Sequence, residues 1–391
     1  MPRRLLAGIR GAALALLCAL VATWARNASA AEPRDAFNGV PHARLQEVLD
    51  SCYNLEDDAD QHIAALDAAY PGSLLPEFIT VARLYWMQSY MEVDVALTET
   101  FETEAHALLD KTQKALRRNP RDPDVVLLAA LSHLTLGGYY AEHQRWWKAF
   151  WRVRAGRTLT LRVLKDHPDH PEAMMPAGVL ECYLARTPPM LKPLARMMNA
   201  TGDLHLGFKY LNEASTHAVL TANDATFYLC ILQIGLADDA EAARVAMGRL
   251  VHRYPRNPYF QRLLGMCELR SGHREQGRTR LAALPDLPTA ALVPAIASRG
   301  LMDLCRDYME TGELGRALEA ADRAGRIASG DERMVRHWIG ALLAQAEALN
   351  GLGRPEEAIA RLKEVPDSQP DAHERALERI REIETDLRQA G

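Results

Sequence analysis

The chain reads Gly312-Glu313-Leu314-Gly315-Arg316-Ala317-Leu318-Glu319-Ala320-Ala321 near its C-terminus, and Gly353-Arg354-Pro355-Glu356-Glu357-Ala358-Ile359-Ala360-Arg361-Leu362 a short way further on. Each stretch has a glycine turn, an acidic helix start, a small residue and an apolar residue four positions later. An internal repeat of this kind is typical of helix hairpins that stack on one another. The sequence therefore predicts an all-α fold, an α-solenoid of antiparallel helix hairpins.

Proline-rich punctuation divides the chain upstream in the same way. It occurs at residues 118–123, 167–171 and 254–258, each with two prolines. One proline ends a helix, and the second stands where the next helix can begin, because its fixed φ suits the first helical turn. No alternating pattern of useful length occurs between these points, so we expect no strands.

This punctuation resembles that of the tetratricopeptide repeat (TPR), whose unit is two antiparallel helices in about 34 residues. In that family small residues stand where the helices cross, and a proline follows the second helix. The last unit here matches at Gly353, Ala358, Leu362 and Pro370. Earlier units match at Tyr308, Gly312, Ala317, Ala321, Ala324, Leu264, Gly265, Gly272, Gly277, Leu281, Ala243, Met247, Leu250, Pro255, Gly202, Gly207, Leu211 and Ala214. The resemblance implies TPR-like hairpins that are irregular towards the N-terminus.

These patterns predict four segments. Residues 1–30 form a signal peptide, 31–184 an N-terminal helical region with degenerate repeats, 185–371 the TPR-like repeats, and 372–391 a C-terminal capping helix. Repeat arrays need a polar terminal helix for solubility. The last segment has a narrow apolar stripe formed by Leu377, Ile380, Ile383 and Leu387. Dimerisation through this stripe is the alternative to a cap.

The N-terminus has the features of a targeting segment. Three arginines precede an apolar stretch at 11–23 that is short for a membrane span, and Ala28-Ser29-Ala30 is a small-x-small cleavage site. We therefore expect an exported, periplasmic protein that is cleaved after Ala30. The alternatives are an uncleaved anchor and a lipoprotein with Cys18 at its new N-terminus.

The charge of the chain narrows the class of partner. Residues 1–30 carry four arginines and no acid, so their removal would change the formal net charge from −5 to −9. That balance argues against nucleic acid as the main partner.

No later stretch approaches the 18 or so uninterrupted apolar residues of a membrane span. Five cysteines would remain after cleavage, without a C-x-x-C pair, and an odd number cannot all pair internally.

A second resemblance is narrower. Residues 146–152, 191–194, Gly202-Asp203, Gly207 and Tyr254-Pro255 are similar to an ordered set of features in exported bacterial repeat proteins of an uncharacterised subgroup. They also look distantly like a eukaryotic repeat group associated with mitochondrial outer membranes. Neither resemblance carries a catalytic residue.

Aromatic residues are concentrated in one segment, where Trp147, Phe150 and Trp151 share a helix face. One interpretation is a ligand or membrane-surface patch, with Lys148 and nearby arginines. The other is a large packing junction between the irregular region and the repeats. A small-ligand pocket lined by Trp147, Trp151 and Tyr183 is the alternative binding site.

No catalytic or metal site is predicted. The pair His167 and His170 has a spacing that can hold zinc on a helix, but the surrounding prolines indicate a solvated turn. There is no nucleophile elbow, no phosphate-binding glycine loop and no H-E-x-x-H motif. We therefore expect a protein that is not an enzyme and has no cofactor.

The TPR resemblance also implies a binding surface, because the first helix of each TPR hairpin lines a concave groove. Carried over to this chain, the groove positions are Lys192, Arg196, Tyr228, Tyr259, Arg262, Arg299 and Arg306. A basic wall with tyrosines suits a carboxylate or an acidic peptide, since arginine binds carboxylates with two hydrogen bonds. The alternative is that these are ordinary solvated residues whose charges meet neighbouring acids.

Together these features predict a non-catalytic exported scaffold that binds a protein or peptide segment in its groove. An envelope assembly or a transport system is the expected setting. The alternative is a periplasmic solute-handling accessory protein that holds a small ligand in the aromatic-lined pocket.

Overall fold

The computed structural model describes residues 35–90, 95–187 and 201–390. Within these ranges the chain forms seventeen α-helices and one two-stranded hairpin. The helices are α1 (His42–Tyr53), α2 (Ala59–Ala69), α3 (Leu75–Tyr90), α4 (Val95–Arg118), α5 (Pro123–Glu142), α6 (Trp146–Asp166), α7 (Pro171–Ala185), α8 (Leu204–His217), α9 (Ala222–Leu232), α10 (Ala240–Arg253), α11 (Pro258–Arg270), α12 (Arg274–Ala282), α13 (Pro294–Glu310), α14 (Leu314–Ala328), α15 (Val335–Gly351), α16 (Pro355–Lys363) and α17 (Pro370–Ala390). The predicted all-α class is confirmed.

From α3 onward the helices pair as hairpins. Each even-numbered helix from α4 to α16 packs against the odd-numbered helix before it. The odd-numbered first helices also pack on one another: α3 on α5, α5 on α7, α7 on α9, α11 on α13 and α13 on α15. This is the predicted solenoid of TPR-like hairpins, and we call the surface that these odd-numbered helices build the first-helix face.

The proline punctuation starts helices as predicted. The Asp122 carboxylate caps α5 by accepting from the backbone N–H groups of Asp124 and Val125, and Pro123 occupies the first turn. Asn257 caps α11 in the same way, ahead of Pro258. Capping of this kind satisfies N–H groups that have no partner inside the helix, and it sets where each hairpin begins.

Small residues let the paired helices cross closely. A Cβ atom on Gly207 would lie 2.4 Å from the Cys182 sulfur and 2.9 Å from the carbonyl oxygen of Gly178, where α7 crosses α8. A Cβ atom on Gly277 would lie 2.7 Å from the Gly265 carbonyl oxygen, where α11 crosses α12. Both crossings bring backbone against backbone, and both involve glycines that match TPR positions.

A short hairpin precedes the helices, against the expectation that no strand would form. Strands β1 (Ala36–Phe37) and β2 (Val40–Pro41) are joined by Asn38 and Gly39, which have φ angles of 47° and 80°. Asn-Gly is the preferred pair for a two-residue hairpin turn. The turn is also held from outside, because the Asn38 N–H donates to the Asp124 carboxylate at 2.8 Å.

The N-terminal helix α1 returns to the middle of the solenoid, which the sequence does not predict. The Tyr254 hydroxyl donates to the Asp50 carboxylate at 2.7 Å, and the Asn257 amide donates to the Tyr53 carbonyl oxygen at 2.8 Å. The Tyr53 ring also lies 6.0 Å from the Phe260 ring. Helix α1 therefore packs beside α11, about two hundred residues away in the chain.

Among the described residues, one hydrophobic core runs from Phe37 to Cys267, and two further clusters cover Leu281–Ala348 and Ile339–Ile383. Two small clusters lie around Val293 with Ile296 and around Ala328 with Met334. The domain boundary predicted at residue 184 lies inside the first core, and the domain division stays a prediction. All five described cysteines are free, although the sulfurs of Cys230 and Cys267 are 3.6 Å apart.

The last helix, α17, packs through a different stripe from the predicted one. Ala372, Ala376, Ile380 and Ile383 are buried in the C-terminal cluster, whereas Leu377 is 39% exposed. The predicted stripe therefore shares only its two isoleucines with the buried face. Within the described ranges, no helix combines the length and apolarity needed to cross a bilayer.

Candidate binding surface on the first helices

Four tyrosines from four hairpins lie within the electrostatic range of one glutamate on the first-helix face. The Tyr85 hydroxyl (α3) donates to the Glu142 carboxylate (α5) at 2.6 Å. Burial raises the pKa of Tyr85, Tyr183 (α7), Tyr228 (α9) and Tyr259 (α11), and the charge of Glu142 raises the pKa of each further. The direct contact is the Tyr85–Glu142 hydrogen bond, and the Phe227 ring lies 5.5 Å from the Tyr228 ring and 6.0 Å from the Tyr259 ring. We call the four tyrosines and Glu142 the tyrosine cluster.

The cluster is open to solvent on one side. The Glu142 side chain is exposed, and Tyr183 is 50% exposed. Tyr228 and Tyr259 are partly buried. Tyrosine presents an apolar ring and a polar hydroxyl, which is why it is common at binding surfaces. The cluster therefore has the composition of a docking surface rather than of a closed core.

Other aromatic rings support the cluster from behind. The Trp86 ring lies 4.7 Å from the Phe227 ring, edge to face, and the Tyr90 ring lies 5.0 Å from the Tyr259 ring. The cleft between α1, α3 and α9 has a volume of about 40 Å³, which suits a water molecule and not a ligand. The inner side of the cluster is therefore a packed wall.

A buried acid helps to hold this wall in place. The Tyr53 hydroxyl donates to the Asp224 carboxylate at 2.9 Å, and Trp86 also hydrogen-bonds to that carboxylate. Burial raises the pKa of Asp224 to about 6, although both hydrogen bonds act in the opposite direction. Asp224 therefore ties α9 to α1 and α3, and positions Phe227 and Tyr228 on the same helix.

Two arginines of the predicted basic wall, Arg262 and Arg306, approach the carboxylate of Asp303 on the same face. The Arg262 Nε donates to the Asp303 carboxylate at 2.7 Å, and the two side chains are 15% and 8% exposed. Arg306, 67% exposed, reaches the other Asp303 oxygen at 3.4 Å. Arg262 is therefore part of a buried ion pair, while Arg306 stays at the surface.

The other predicted groove residues fall partly in the tyrosine cluster, partly beside the Arg262–Asp303 ion pair, and partly outside the described residues. Burial raises the pKa of Tyr259, whereas the nearby charges of Arg262 and Arg299 lower it, so these residues of α11 and α13 lie together. Tyr228 and Tyr259 both belong to the tyrosine cluster. Lys192 and Arg196 lie outside the described residues. The structure thus joins a tyrosine-rich part of the face to an arginine-bearing part.

The three residues of the predicted alternative pocket are all exposed. Trp147 and Trp151 lie on α6, a second helix, and are 61% and 44% exposed. The Trp147 ring stacks on Phe150 at 5.7 Å. The interpretation of these tryptophans as a packing junction is wrong, because both rings are on the surface. Tyr183 belongs instead to the tyrosine cluster.

Three residues of the site were missed from the sequence. Tyr85 lies in a region without a recognisable repeat, and Glu142 is the last residue of α5, outside the groove positions of the family. Asp303 had a usable signal, because it stands four residues after Arg299 and three before Arg306. Such spacings bring side chains together on a helix and indicate an ion pair.

Two groups bear on metal or proton chemistry. His170 is 7% exposed, with its Nε2 3.7 Å from the Asp124 carboxylate, so the expectation of a solvated turn is wrong for this histidine. Glu56 and Asp58, between α1 and α2, and His62, on α2, each place a potential ligand atom within 4.8 Å of the others. Surface acids of this kind are common without an ion, so we assign no metal site.

No protein-family model matches the chain, and no curated protein matches it. Similar solved structures include YrrB, described as a TPR protein with an unusual peptide-binding site (15% identity; 57% of this chain and 96% of that one; TM-score 0.36). Yeast Tom70 is 10% identical (82% and 66% covered; TM-score 0.44). A Rap protein complexed with Competence and Sporulation Factor is 12% identical (89% and 98% covered; TM-score 0.45). The fold class, a TPR-like α-solenoid, rests on the helices described above.

Proposed function

We propose that this protein is a non-catalytic scaffold that holds a peptide segment of a partner protein against the tyrosine cluster. The observation that carries the proposal is a tyrosine-rich part of the first-helix face, where Tyr85 contacts the exposed Glu142, Tyr183 is half exposed, and Tyr228 and Tyr259 lie within range of the Glu142 charge. These side chains come from four hairpins, so the surface is extended. An extended, preformed surface suits a peptide, because the receptor loses little entropy on binding.

The chemistry of the cluster favours binding over catalysis. The pKa of every phenol in it is raised, so each stays a neutral hydroxyl near pH 7. Neutral hydroxyls donate and accept hydrogen bonds but are poor general bases at that pH. Glu142 adds an acceptor for a cation or an N–H group, and Arg306 adds a cation for an acidic group further along the face.

The small-ligand alternative has less support. Pockets for small molecules are usually enclosed cavities of at least about 300 Å³. The cleft behind the cluster is far smaller, at about 40 Å³. Of the three predicted pocket residues, only Tyr183 lies in the tyrosine cluster. The solute-handling function is therefore only the second candidate, behind peptide binding.

The cellular setting is also part of the proposal. The arginines, the apolar stretch at 11–23 and the Ala28-Ser29-Ala30 site support export to the periplasm. An exported scaffold with a peptide-binding face would serve an envelope assembly or a transport system. Fractionation of cells that produce the tagged chain tests this, and a tag recovered only from the cytoplasm would contradict it.

Truncation of Tyr183 should weaken partner capture. We expect Tyr183→Ser to recover about tenfold less partner from envelope extract, since loss of an exposed aromatic anchor costs roughly 1–2 kcal/mol. The chain from residue 31 is the bait, and captured proteins are quantified by mass spectrometry. Val245→Ser is the matched control, because Val245 is 53% exposed on the second helix α10. Equal recovery by both variants would contradict the proposal.

A further inference from the structure

The second helix α6 carries a solvent-facing stripe that the first-helix face does not explain. The stripe follows helical spacing of four and three residues, so its members share one side. All of them are exposed: Trp147, Trp151, Arg154, Thr158, Leu161 and Lys165. Trp146, at the start of the helix, is 60% exposed as well. The tryptophans of this segment are thus presented to solvent.

The tryptophan rings contact the buried Phe150, but they themselves remain on the surface. Helix α6 packs on α5 through its opposite side, where Ala149, Gly156, Thr160 and Val163 are buried. A Cβ atom on Gly156 would lie 2.6 Å from the Leu134 side chain, so that contact is close without any aromatic residue. Large aromatic groups that remain exposed mark an interaction surface.

The charge around the stripe is mostly positive, although α6 ends in the exposed Asp166. Residues 143–165 contain seven lysines and arginines and no acid, in a chain whose formal net charge is −5. Arg145 is paired with Glu102 at 2.8 Å, and Arg162 donates to the Pro120 carbonyl oxygen. Lys148, Arg154 and Lys165 form no ion pair with a carboxylate among the described residues. The stripe is therefore a positively charged patch on a protein whose formal net charge is negative.

We propose that α6 docks this protein on a membrane surface that contains anionic lipid headgroups. Tryptophan is favoured at the membrane–water interface because its apolar ring and its N–H suit that boundary. Lysine and arginine beside it attract anionic lipids, with roughly 1 kcal/mol for each cation near the surface. A helix with this composition lies in the plane of the interface and does not cross the bilayer.

The position of α6 in the fold suits this role. It is the second helix of its hairpin, whereas the tyrosine cluster is built from first helices. Lipid contact through α6 would therefore leave the peptide-binding face free. The inference does not depend on the proposed peptide, because Trp147, Trp151, Arg154 and Lys165 take no part in the tyrosine cluster.

Co-sedimentation with vesicles tests the proposal. The chain from residue 31 is used, so that the apolar stretch at 11–23 does not contribute. We expect it to sediment with phosphatidylcholine vesicles that contain phosphatidylglycerol, and much less with phosphatidylcholine alone. Added salt should weaken the binding, because it screens the lysine and arginine charges. Equal sedimentation with both vesicle types, or none with either, would overturn the proposal.

Paired variants locate the binding surface. Trp147→Ser with Trp151→Ser should reduce vesicle binding about tenfold or more, because interfacial binding scales with the apolar area inserted. Val245→Ser with Leu352→Ser is the control, since Val245 on α10 is 53% exposed and Leu352, just after α15, is 40% exposed. Tyr183→Ser should bind vesicles as the wild type does. Unchanged vesicle binding by the double tryptophan variant would contradict lipid docking. So would a double tryptophan variant that loses a protein partner but keeps its binding to vesicles.

Discussion

Glu172→Ala is expected to be strongly destabilising, with a loss of about 3–5 kcal/mol in the free energy of unfolding. The carboxylate is buried at the start of α7, with 4% exposure. It accepts from the N–H groups of Val219, Leu220 and Thr221 at 2.6, 3.0 and 2.8 Å, and from the Thr221 hydroxyl at 2.8 Å. Alanine would leave these buried donors without a partner. Urea denaturation followed by circular dichroism measures the loss.

Two further substitutions separate the role of this carboxylate from a general effect of removing charge. Glu172→Gln keeps one acceptor oxygen and should lose less stability than alanine. Glu213→Ala removes an exposed carboxylate on α8, 47% exposed, and should change the free energy of unfolding by less than about 0.5 kcal/mol. If Glu172→Ala and Glu213→Ala have equal midpoints, the Glu172 carboxylate does not hold the start of α9.

Arg262→Glu should also be strongly destabilising, by about 3 kcal/mol or more, whereas Arg306→Glu should change stability by less than about 1 kcal/mol. Both arginines approach Asp303, but Arg262 is 15% exposed and Arg306 is 67% exposed. Glutamate at position 262 would bury two carboxylates side by side. The prediction is checked by thermal and urea unfolding of the two single variants.

Asp303→Asn in the Arg262→Glu background provides the control. Removing one of the two like charges should recover part of the lost stability. Equal destabilisation by Arg262→Glu and Arg306→Glu would show that the Arg262–Asp303 ion pair is not buried as described. Arg262→Glu is expected to destabilise the fold. If a variant that contains it fails to capture a partner, that result alone would therefore not locate a binding site.

The hairpin architecture was predictable because its determinants are local. Helix caps such as Asp122 act on N–H groups two or three residues away, and prolines such as Pro123 act on their own turn. Crossing glycines such as Gly207 recur at spacings that a single sequence shows. These features depend on backbone geometry within one repeat, so pattern alone predicts them.

Contacts between distant segments were not predictable from pattern. Helix α1 meets α11 through Asp50 with Tyr254 and through Tyr53 with Asn257, and neither pair belongs to a repeat. The β1–β2 hairpin is a different case. Its Asn38-Gly39 signal stands in the sequence, but two flanking residues on each side are too few to show an alternating pattern.

The positions of residues on the candidate surface were predicted in part. The family positions correctly brought Tyr228 and Tyr259 onto neighbouring first helices, but they could not show that Arg262 is paired with Asp303. The tryptophans show a related limit. Helical spacing indicates that Trp147 and Trp151 share a face, yet it does not tell whether that face is buried. In α6 the buried residues include Phe150 but neither tryptophan.

Site-specific photocrosslinking tests the binding surface most directly. A benzophenone amino acid replaces Tyr183 in the tyrosine cluster or, as the control, Val245 on α10, and crosslinked products are mapped by mass spectrometry. The account predicts that position 183 crosslinks to one continuous segment of a partner protein and that position 245 does not. A small-molecule adduct at position 183, or equal crosslinking from both positions, would contradict a peptide-binding first-helix face.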